Sequence, residues 1–520
     1  MEQTTLNSLM ISAAYPVPTT TVELVQTHVS WIFLTDTHVF KIKKPVDFGF
    51  LDFSTIDRRQ FYCNEEIRLN RRLCPDIYES VVALRETEDG AAFTGNGPII
   101  DYAVMMKRLP ANRMLDKLVE SGEVTVENMI NVADAISRFH AAASTSQHIS
   151  EFGSLKQIMF NWSENLRQML PYEASTLPAD ELKTIQSWVT AFTEKNRALF
   201  SRRIQEGYIR ECDGDLHLEN ICLVDDKVYI FDCIEFNERF RFCDTAADIA
   251  FLLMDLDFHN RSDLSAAVIT TYQEASGDRE LGKLIDFYKI YRAFVRGKVE
   301  SLCLSDSGID LESRTMSQKR AIRYFRLARG YCERSRLRPT LFITCGTMGC
   351  GKSTLADQLA FELEISVHSS DFVRKMLAGR PTDAAVHEQY GQGLYDNAMT
   401  EKTYDELKKF AGYELAAGRS VLIDASFRRA SGRNGYAELA ALHNADFIIL
   451  LVTCDDEEQN NRLRRRAENG VSVSDGRIDL MNRQKAEFEY PDTAEGRIIQ
   501  VNAIHSPEEL ASSIYRELNR

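Results

Sequence analysis

The chain holds eleven cysteines, yet no two of them stand in a C-x-x-C pair. That lack removes the usual spacing of a zinc ribbon or a thioredoxin-like redox motif. Cys212, Cys222, Cys233 and Cys243 recur about every ten residues, but they lie in or beside apolar strands. Small buried side chains, kept as thiols in a reducing compartment, are the better expectation. Positive charge is also short: 62 Lys and Arg face 77 Asp and Glu, a net charge of −15. Such a balance argues against long-range attraction to nucleic acid or an anionic membrane. No apolar run reaches the ~18 residues of a membrane helix. The first residues have no basic segment leading into an apolar core, so no signal peptide is expected and the expected location is cytoplasmic. There is no internal repeat and no long low-complexity linker.

What is present is two phosphate-handling signatures of unrelated design. One is Gly346-Thr-Met-Gly-Cys-Gly351-Lys352-Ser353, which fits G-x-x-x-x-G-K-[ST]. The other is Asp213-Gly-Asp215-Leu-His217-Leu-Glu-Asn220, followed by Tyr229-Ile-Phe-Asp232. Its Asp…Asn…Asp order is that of a catalytic loop followed by a metal-binding aspartate. At 520 residues the chain has room for several domains.

The coarse pattern divides near residue 337. Before it, strands come first: a hairpin from Trp31–Leu34 and His38–Ile42, then Val81–Leu84 and Ile99–Met106. Residues 57–73, Met114–Ala143, most of Leu155–Phe200, Thr245–Leu256, Leu281–Cys303 and Met316–Cys332 read as helical. This is an α+β arrangement, a small sheet lobe followed by a helical lobe, over residues 1–336. Over 337–520 strands alternate with helices: Leu341–Thr344, Ile365–His368, Ser420–Ile423, Asp446–Thr453 and Arg497–Val501. Alternation of this kind predicts an α/β domain with a parallel sheet.

In the second part, Gly346, Gly349, Cys350 and Gly351 let backbone N–H groups turn onto phosphate oxygens. Lys352 reaches the β- and γ-phosphates, Ser353 ligates Mg²⁺, and Thr354 opens the following helix toward the phosphates. Asp424 closes a strand where a second Mg²⁺ ligand belongs. Asp371 is placed to take a proton from an acceptor hydroxyl, or simply to N-cap its helix. Arg374, one turn on, suits an anionic acceptor. Arg462, Arg464, Arg465 and Arg466 form a basic stretch from which Arg465 is expected at the transferring phosphoryl group, though at least one of them must face solvent.

In the first part, Asp215 takes the place of a general base, and Asn220 and Asp232 of Mg²⁺ ligands. Lys41 has the strand position of a lysine that binds α- and β-phosphates. Glu66 is its expected partner, with Glu65 competing, and Lys43 shares the face of Lys41. Tyr102–Met106 and Leu109-Pro110 would flank adenine. Asp244 and Asp248 read as helix-capping residues paired with Arg239 and Arg241, or as an extension of an acceptor pocket. His217 reads as a loop-packing residue.

The quoted glycine loop, Ser370-Asp371-x-x-Arg374, Asp424-Ala-Ser-Phe and the arginine stretch resemble the P-loop kinase superfamily, in the branch of polynucleotide 5′-kinases and zeta-type toxins. Gly214–Asn220 and Phe231-Asp-Cys-Ile-Glu-Phe236 resemble the aminoglycoside phosphotransferase-like branch of the protein-kinase fold. Together they are similar to bacterial fusions of the two. The resemblance implies Mg²⁺-dependent ATP use in both parts and small-molecule acceptors bearing hydroxyls. It does not name the acceptors. The branch usually has His before Gly-Asp; here the position is Asp213. A second carboxylate there would raise a pKa or draw in another cation. Two other readings stand beside a tandem kinase: an ATP-hydrolysing switch on an inactive kinase-like scaffold, and a nucleic-acid end kinase, which the net charge disfavours.

Overall fold

The structure is a computed structural model that describes residues 2–306, 308–380, 394, 396–469 and 484–519, without the side chains of 466–469. The chain forms two compact units, Met1–Ala328 and Arg329–Arg520. The division falls inside the helix Leu311–Arg334. Its last turns belong to unit 2 because Gly330 lets the helix press against the Glu362 backbone, where a Cβ would come within 1.7 Å of the carbonyl oxygen.

Unit 1 begins with a six-stranded sheet in the order β1-β2-β3-β6-β4-β5. The strands are β1 (Glu23–Gln26), β2 (Ser30–Leu34), β3 (His38–Lys43), β4 (Tyr78–Thr87), β5 (Gly90–Ala92) and β6 (Ile99–Lys107), and every pairing is antiparallel. Alternation along β3 separates two cores. Phe40 and Ile42 join Leu9, Phe33, Leu84 and Ala103 on one face. Val39 joins Cys63, Ile67, Tyr78 and Val104 on the other, beneath the helix Ile56–Asn70. Lys41 and Lys43 alternate with the first set, so they too look toward that helix.

A helical lobe follows. Its centre is Thr245–Phe258, buried along nearly its whole length. Val126–Ala142, Leu155–Met169, Ala179–Lys195, Ser262–Ser276 and Ile285–Leu302 are among its other helices. The expected continuous helix Met114–Ala143 is in fact two, Leu115–Glu120 and Val126–Ala142. Gly122 at φ 72° turns the chain between them, and Thr125 starts the second helix with a capping box to Asn128. Two small antiparallel ribbons support the loops of interest: β7 (Ile209–Glu211) with β10 (Phe242–Asp244), and β8 (Ile221–Val224) with β9 (Lys227–Ile230). The segment 212–220 links β7 to β8, and Asp232 follows β9.

Unit 2 is a five-stranded parallel sheet in the order β12-β13-β11-β14-β15, as its alternating pattern predicts. Its strands are β11 (Thr340–Cys345), β12 (Ser366–Ser369), β13 (Val421–Asp424), β14 (Asp446–Thr453) and β15 (Arg497–Asn502). Leu355, Leu359, Leu450 and Ile514 belong to one core, and Leu407, Leu415, Tyr436 and Ile449 to the other. A sheet with two apolar faces explains why β11 and β13 are buried at every residue. The carboxyl ends of β11, β12 and β13 carry the glycine loop, Asp371 and Asp424, the edge at which open α/β sheets bind ligands. No described helix is long and apolar enough to cross a membrane.

Candidate functional site

In unit 1 the charged residues of β3 meet their partners across the lobe. Lys41 Nζ lies 3.0 Å from Glu66 and 2.5 Å from Asp232 Oδ1. Lys43 Nζ donates to Glu66 Oε2 at 2.6 Å and also to Glu235. Glu65 instead pairs with Arg68 at 2.9 Å. Burial lowers the pKa of Lys41, but Asp232, Glu66 and Glu235 outweigh it and hold the ammonium charged. Burial pushes Glu66 up, and the two lysines reverse this and bring it down to about 2. Glu235 is raised, chiefly by burial. Nothing within Phe231–Phe236 singles out Glu235 in the sequence, because its partner Lys43 lies far away along the chain. Asp232 has φ 65°, a conformation a non-glycine residue rarely takes, and its N–H donates to Tyr78 Oη at 3.2 Å.

The loop 212–220 is braced by groups the sequence reading assigned elsewhere. Asp248 accepts from the N–H groups of Asp213 at 3.1 Å and Gly214 at 2.8 Å. It also meets His140 Nε2 at 3.1 Å, whose Nδ1 lies 2.7 Å from Tyr272 Oη. Leu218 N–H donates to Asp255, and Arg292 donates to the Gly214 carbonyl. Asp248 therefore holds the loop. Asp244 does cap its helix through Ala246 N–H, but its ion partner is Arg203. The expected pairing with Arg239 and Arg241 is not formed, because those arginines reach Glu164 and Glu211. His140, Cys212 and Asp248 lie close enough to suggest a metal trio. The hydrogen bonds just given already engage His140 and Asp248.

Asp215 and Asn220 are adjacent: Asn220 Nδ2 donates to the Asp215 carbonyl at 3.0 Å and carboxylate at 3.1 Å. That leaves Asn220 Oδ1 for a cation. His217 Nε2 stands 3.4 Å from Asp215 and packs on Phe251. Burial raises Asp215, but His217, Arg296 and Arg292 overcome it and hold the carboxyl below its usual range; His217 is raised in return, against its own burial. Asp213 is fully buried, with Oδ1 accepting from Asp215 N–H. Burial first, then Asp248 and Asp215, push its carboxyl well above the usual range. Lys41, Asp215, Asp232 and Glu235 line one cavity of about 870 Å³.

In unit 2 the glycine loop connects β11 to the helix Lys352–Leu363. Gly346 has φ 153°, and a Cβ there would sit 2.5 Å from the Val452 carbonyl. Gly349 and Gly351 have φ 75° and 100°. Gly351 is the N-cap and makes no side-chain cap bond, so the helix start presents its N–H groups. Lys352 Nζ folds back to the Thr347 carbonyl at 2.8 Å. Gln459 binds Thr347 Oγ1 at 2.7 Å and fastens the loop from outside. Ser353 Oγ donates to Asp424 at 2.6 Å, and Thr344 Oγ1 holds the other carboxylate oxygen at 3.0 Å. This all-oxygen pair suits a hard cation such as Mg²⁺, as does the set of Asn220 and Asp232 in unit 1. Cys350, within the loop, is buried, and Thr354, in the helix that follows, is exposed.

Asp371 lies in the first turn of Ser370–Leu377, whose N-cap is Ser369. Asp371 is thus not the cap; it accepts from Arg374 at 3.0 Å. Of the arginine stretch, Arg462 touches the glycine loop, 3.0 Å from where a Gly351 Cβ would stand, and pairs with Glu458 at 2.8 Å. Arg464 and Arg465 are exposed, and the Arg466 side chain lies outside the described residues.

A family model described as an AAA domain matches residues 341–491, which contain the glycine loop, Asp371 and Asp424. Among solved structures, a choline/ethanolamine kinase family protein from Mesorhizobium loti covers 64% of this chain and 99% of its own, at 11% identity and a TM-score of 0.39. A gluconokinase from Sinorhizobium meliloti 1021 covers 36% of this chain and 94% of its own, at 19% identity and a TM-score of 0.26. Uncharacterized protein Rv2004c of Mycobacterium tuberculosis (strain ATCC 25618 / H37Rv) is 31% identical over 407 residues, 78% of each chain. Uncharacterized protein Mb2027c of Mycobacterium bovis matches to the same extent, 31% over 407 residues. At that identity and coverage, the chain belongs to one family with these mycobacterial proteins.

Proposed function

We propose that the chain is a tandem ATP-dependent phosphotransferase, each unit moving a γ-phosphate to a hydroxyl of a small molecule. The observation that carries this reading is the convergence on one cavity of Lys41, paired with Glu66, with Asp232 and with Asp215, which Asn220 holds by a hydrogen bond. In unit 1, Lys41 would steady the α- and β-phosphates, while Asn220 and Asp232 hold Mg²⁺, which supplies charge neutralisation on the phosphate oxygens. The acceptor hydroxyl attacks the γ-phosphorus, its proton passes to the Asp215 carboxylate, and the bond to the β-phosphate oxygen breaks to release ADP. His217 and Asn220 keep Asp215 aimed and ionised. In unit 2, the glycine loop and Lys352 would cradle the phosphates, with Ser353 and Asp424 as cation ligands. Asp371 would serve at the acceptor once Arg374 turns to an anionic substrate group. Arg462 stands nearer the loop than the exposed Arg465 and is the better candidate for the transferring group.

The test follows γ-labelled phosphate from Mg-ATP into a small-metabolite pool, with wild type, Asp215→Ala, Lys352→Ala and the double variant. Two labelled products, each lost in one single variant, are expected. A second reading, an ATP-hydrolysing switch, draws on the Arg374 contact that engages Asp371. It requires free phosphate alone, lost only with Lys352→Ala.

A further inference from the structure

The cavity that contains Asp215 extends into an aromatic chamber between two helices. Phe50, Phe236, Phe240, Phe242, Trp162 and Tyr291 are among its walls. Several charged side chains also line it, and most are already matched. Arg239 pairs with Glu164 at 2.8 Å, Asp244 with Arg203 at 2.6 Å, and Asp306 with His28 at 3.2 Å. Glu235 holds Lys43. Lys298 differs. Its Nζ donates to two neutral oxygens, Asn165 Oδ1 at 2.7 Å and Gln168 Oε1 at 2.9 Å, and no described carboxylate lies within ion-pair distance. An ammonium has three donors, so one remains. Burial also depresses Lys298 to about 8, as expected for a cation lacking an anionic neighbour at contact distance.

A chamber with apolar walls and an ammonium that keeps one donor uncommitted is built for an apolar body that ends in oxygens carrying negative charge. We propose that the acceptor of unit 1 is an organic anion, an alcohol whose aromatic or aliphatic body fills this chamber and whose carboxylate or phosphate is bound by Lys298 Nζ. The inference rests on the phosphotransfer reading of unit 1 for the word acceptor, but the anion site stands on its own geometry. The two amide oxygens fix the ammonium, so Lys298 acts in specificity, and its loss should raise KM more than it lowers kcat.

Two arms test this on the full chain. The first compares two fluorescent probes with the same rings, anionic 1-anilinonaphthalene-8-sulfonate and neutral N-phenyl-1-naphthylamine. Lys298→Met is expected to weaken the sulfonate about tenfold and to leave the neutral probe unchanged. Lys298→Arg should retain the preference. Equal binding of both probes to wild type, or a sulfonate affinity indifferent to Lys298→Met, would overturn the site. Should Lys298→Met lose the neutral probe as well, Lys298→Gln and Lys298→Arg decide, the first expected to lose the sulfonate preference and the second to keep it. The second arm splits the metabolite pool by ion exchange into anionic, neutral and cationic fractions before the labelled transfer. Asp215-dependent product is expected from the anionic fraction, and prior phosphatase treatment of that fraction tells a phosphate from a carboxylate. Product from the cationic or neutral fraction alone would overturn the acceptor class. Absence of Asp215-dependent product from every fraction would count against phosphotransfer itself, while the probe arm still decides the anion site.

Discussion

At Asp215, burial and charge pull in opposite directions, and charge wins. Its carboxyl lies below the usual range, so the fraction ready to accept a proton does not change near neutrality. Its neighbour His217 is raised instead. The sign follows: a base with a lowered pKa gives an acid limb below about pH 4, whereas a histidine base would give one above about pH 6.5. The kcat/KM of the unit 1 reaction is therefore expected to be flat from about pH 5 to about pH 6.5. A rate that instead climbs about tenfold per pH unit across that interval, toward a midpoint above about pH 6.5, would move the role of base to His217. Asp215→Asn should cost about 10²–10⁴-fold in kcat. Gly346 is the residue-scale counterpart in unit 2. At φ 153°, with the Val452 carbonyl 2.5 Å from a built Cβ, Gly346→Ala forces the loop to shift. It should lower the stability of unit 2 by roughly 1–3 kcal/mol and weaken ATP binding there, seen by thermal unfolding with and without nucleotide. Residues of this kind were legible in the sequence because each belongs to a short contiguous motif. Asp248 and His140 were not, since bracing the loop is a contact between helices far apart in the chain.

Among elements, β3 and the helix Ile56–Asn70 are tied together by ion pairs. Period-two alternation sends Lys41 and Lys43 to one face, and Glu66 meets both. Sequence alone left both the lysine and the glutamate open. Burial separates them: the Lys43 side chain is 1% exposed, and that of Lys41 is 13% exposed beside Asp232. Lys43 is thus the structural cation and Lys41 the one at the cavity. Lys43→Met would leave Glu66 and Glu235 buried with one cation fewer, at a cost of about 3–5 kcal/mol, read from the denaturant midpoint of unit 1. Lys41→Met should cost less stability and abolish the Asp215-dependent product. The reverse pattern would assign the phosphate lysine to Lys43. Longer elements were readable because their apolar periods persist, as in the parallel strands of unit 2. The three-residue strands β5, β7 and β10 are too short to show a period. The break at Gly122 was readable only through the glycine itself.

At the scale of the whole molecule, the question is whether the two phosphate sites proposed for one chain act separately. Each unit has its own cores, and every residue proposed for a site lies within the unit that carries it. Changes at sites that share no partners usually add, within about 0.5 kcal/mol, or roughly twofold in rate. Lys352→Ala should then leave the Asp215-dependent product within about twofold of wild type, and Asp215→Ala should do the same for the Lys352-dependent product. A linked pair behaves otherwise. Coupling of about 1–3 kcal/mol changes the partner site by about 5–150-fold, and for binding it must be reciprocal. Calorimetric titration with Mg-ATP is therefore expected to resolve two binding events, with Lys41→Met removing one and Lys352→Ala the other, and the surviving affinity unchanged in each. If Lys352→Ala instead weakens the unit 1 event more than about fivefold, Lys41→Met must weaken the unit 2 event by the same factor. That reciprocal loss would replace two independent catalysts with one nucleotide-linked device.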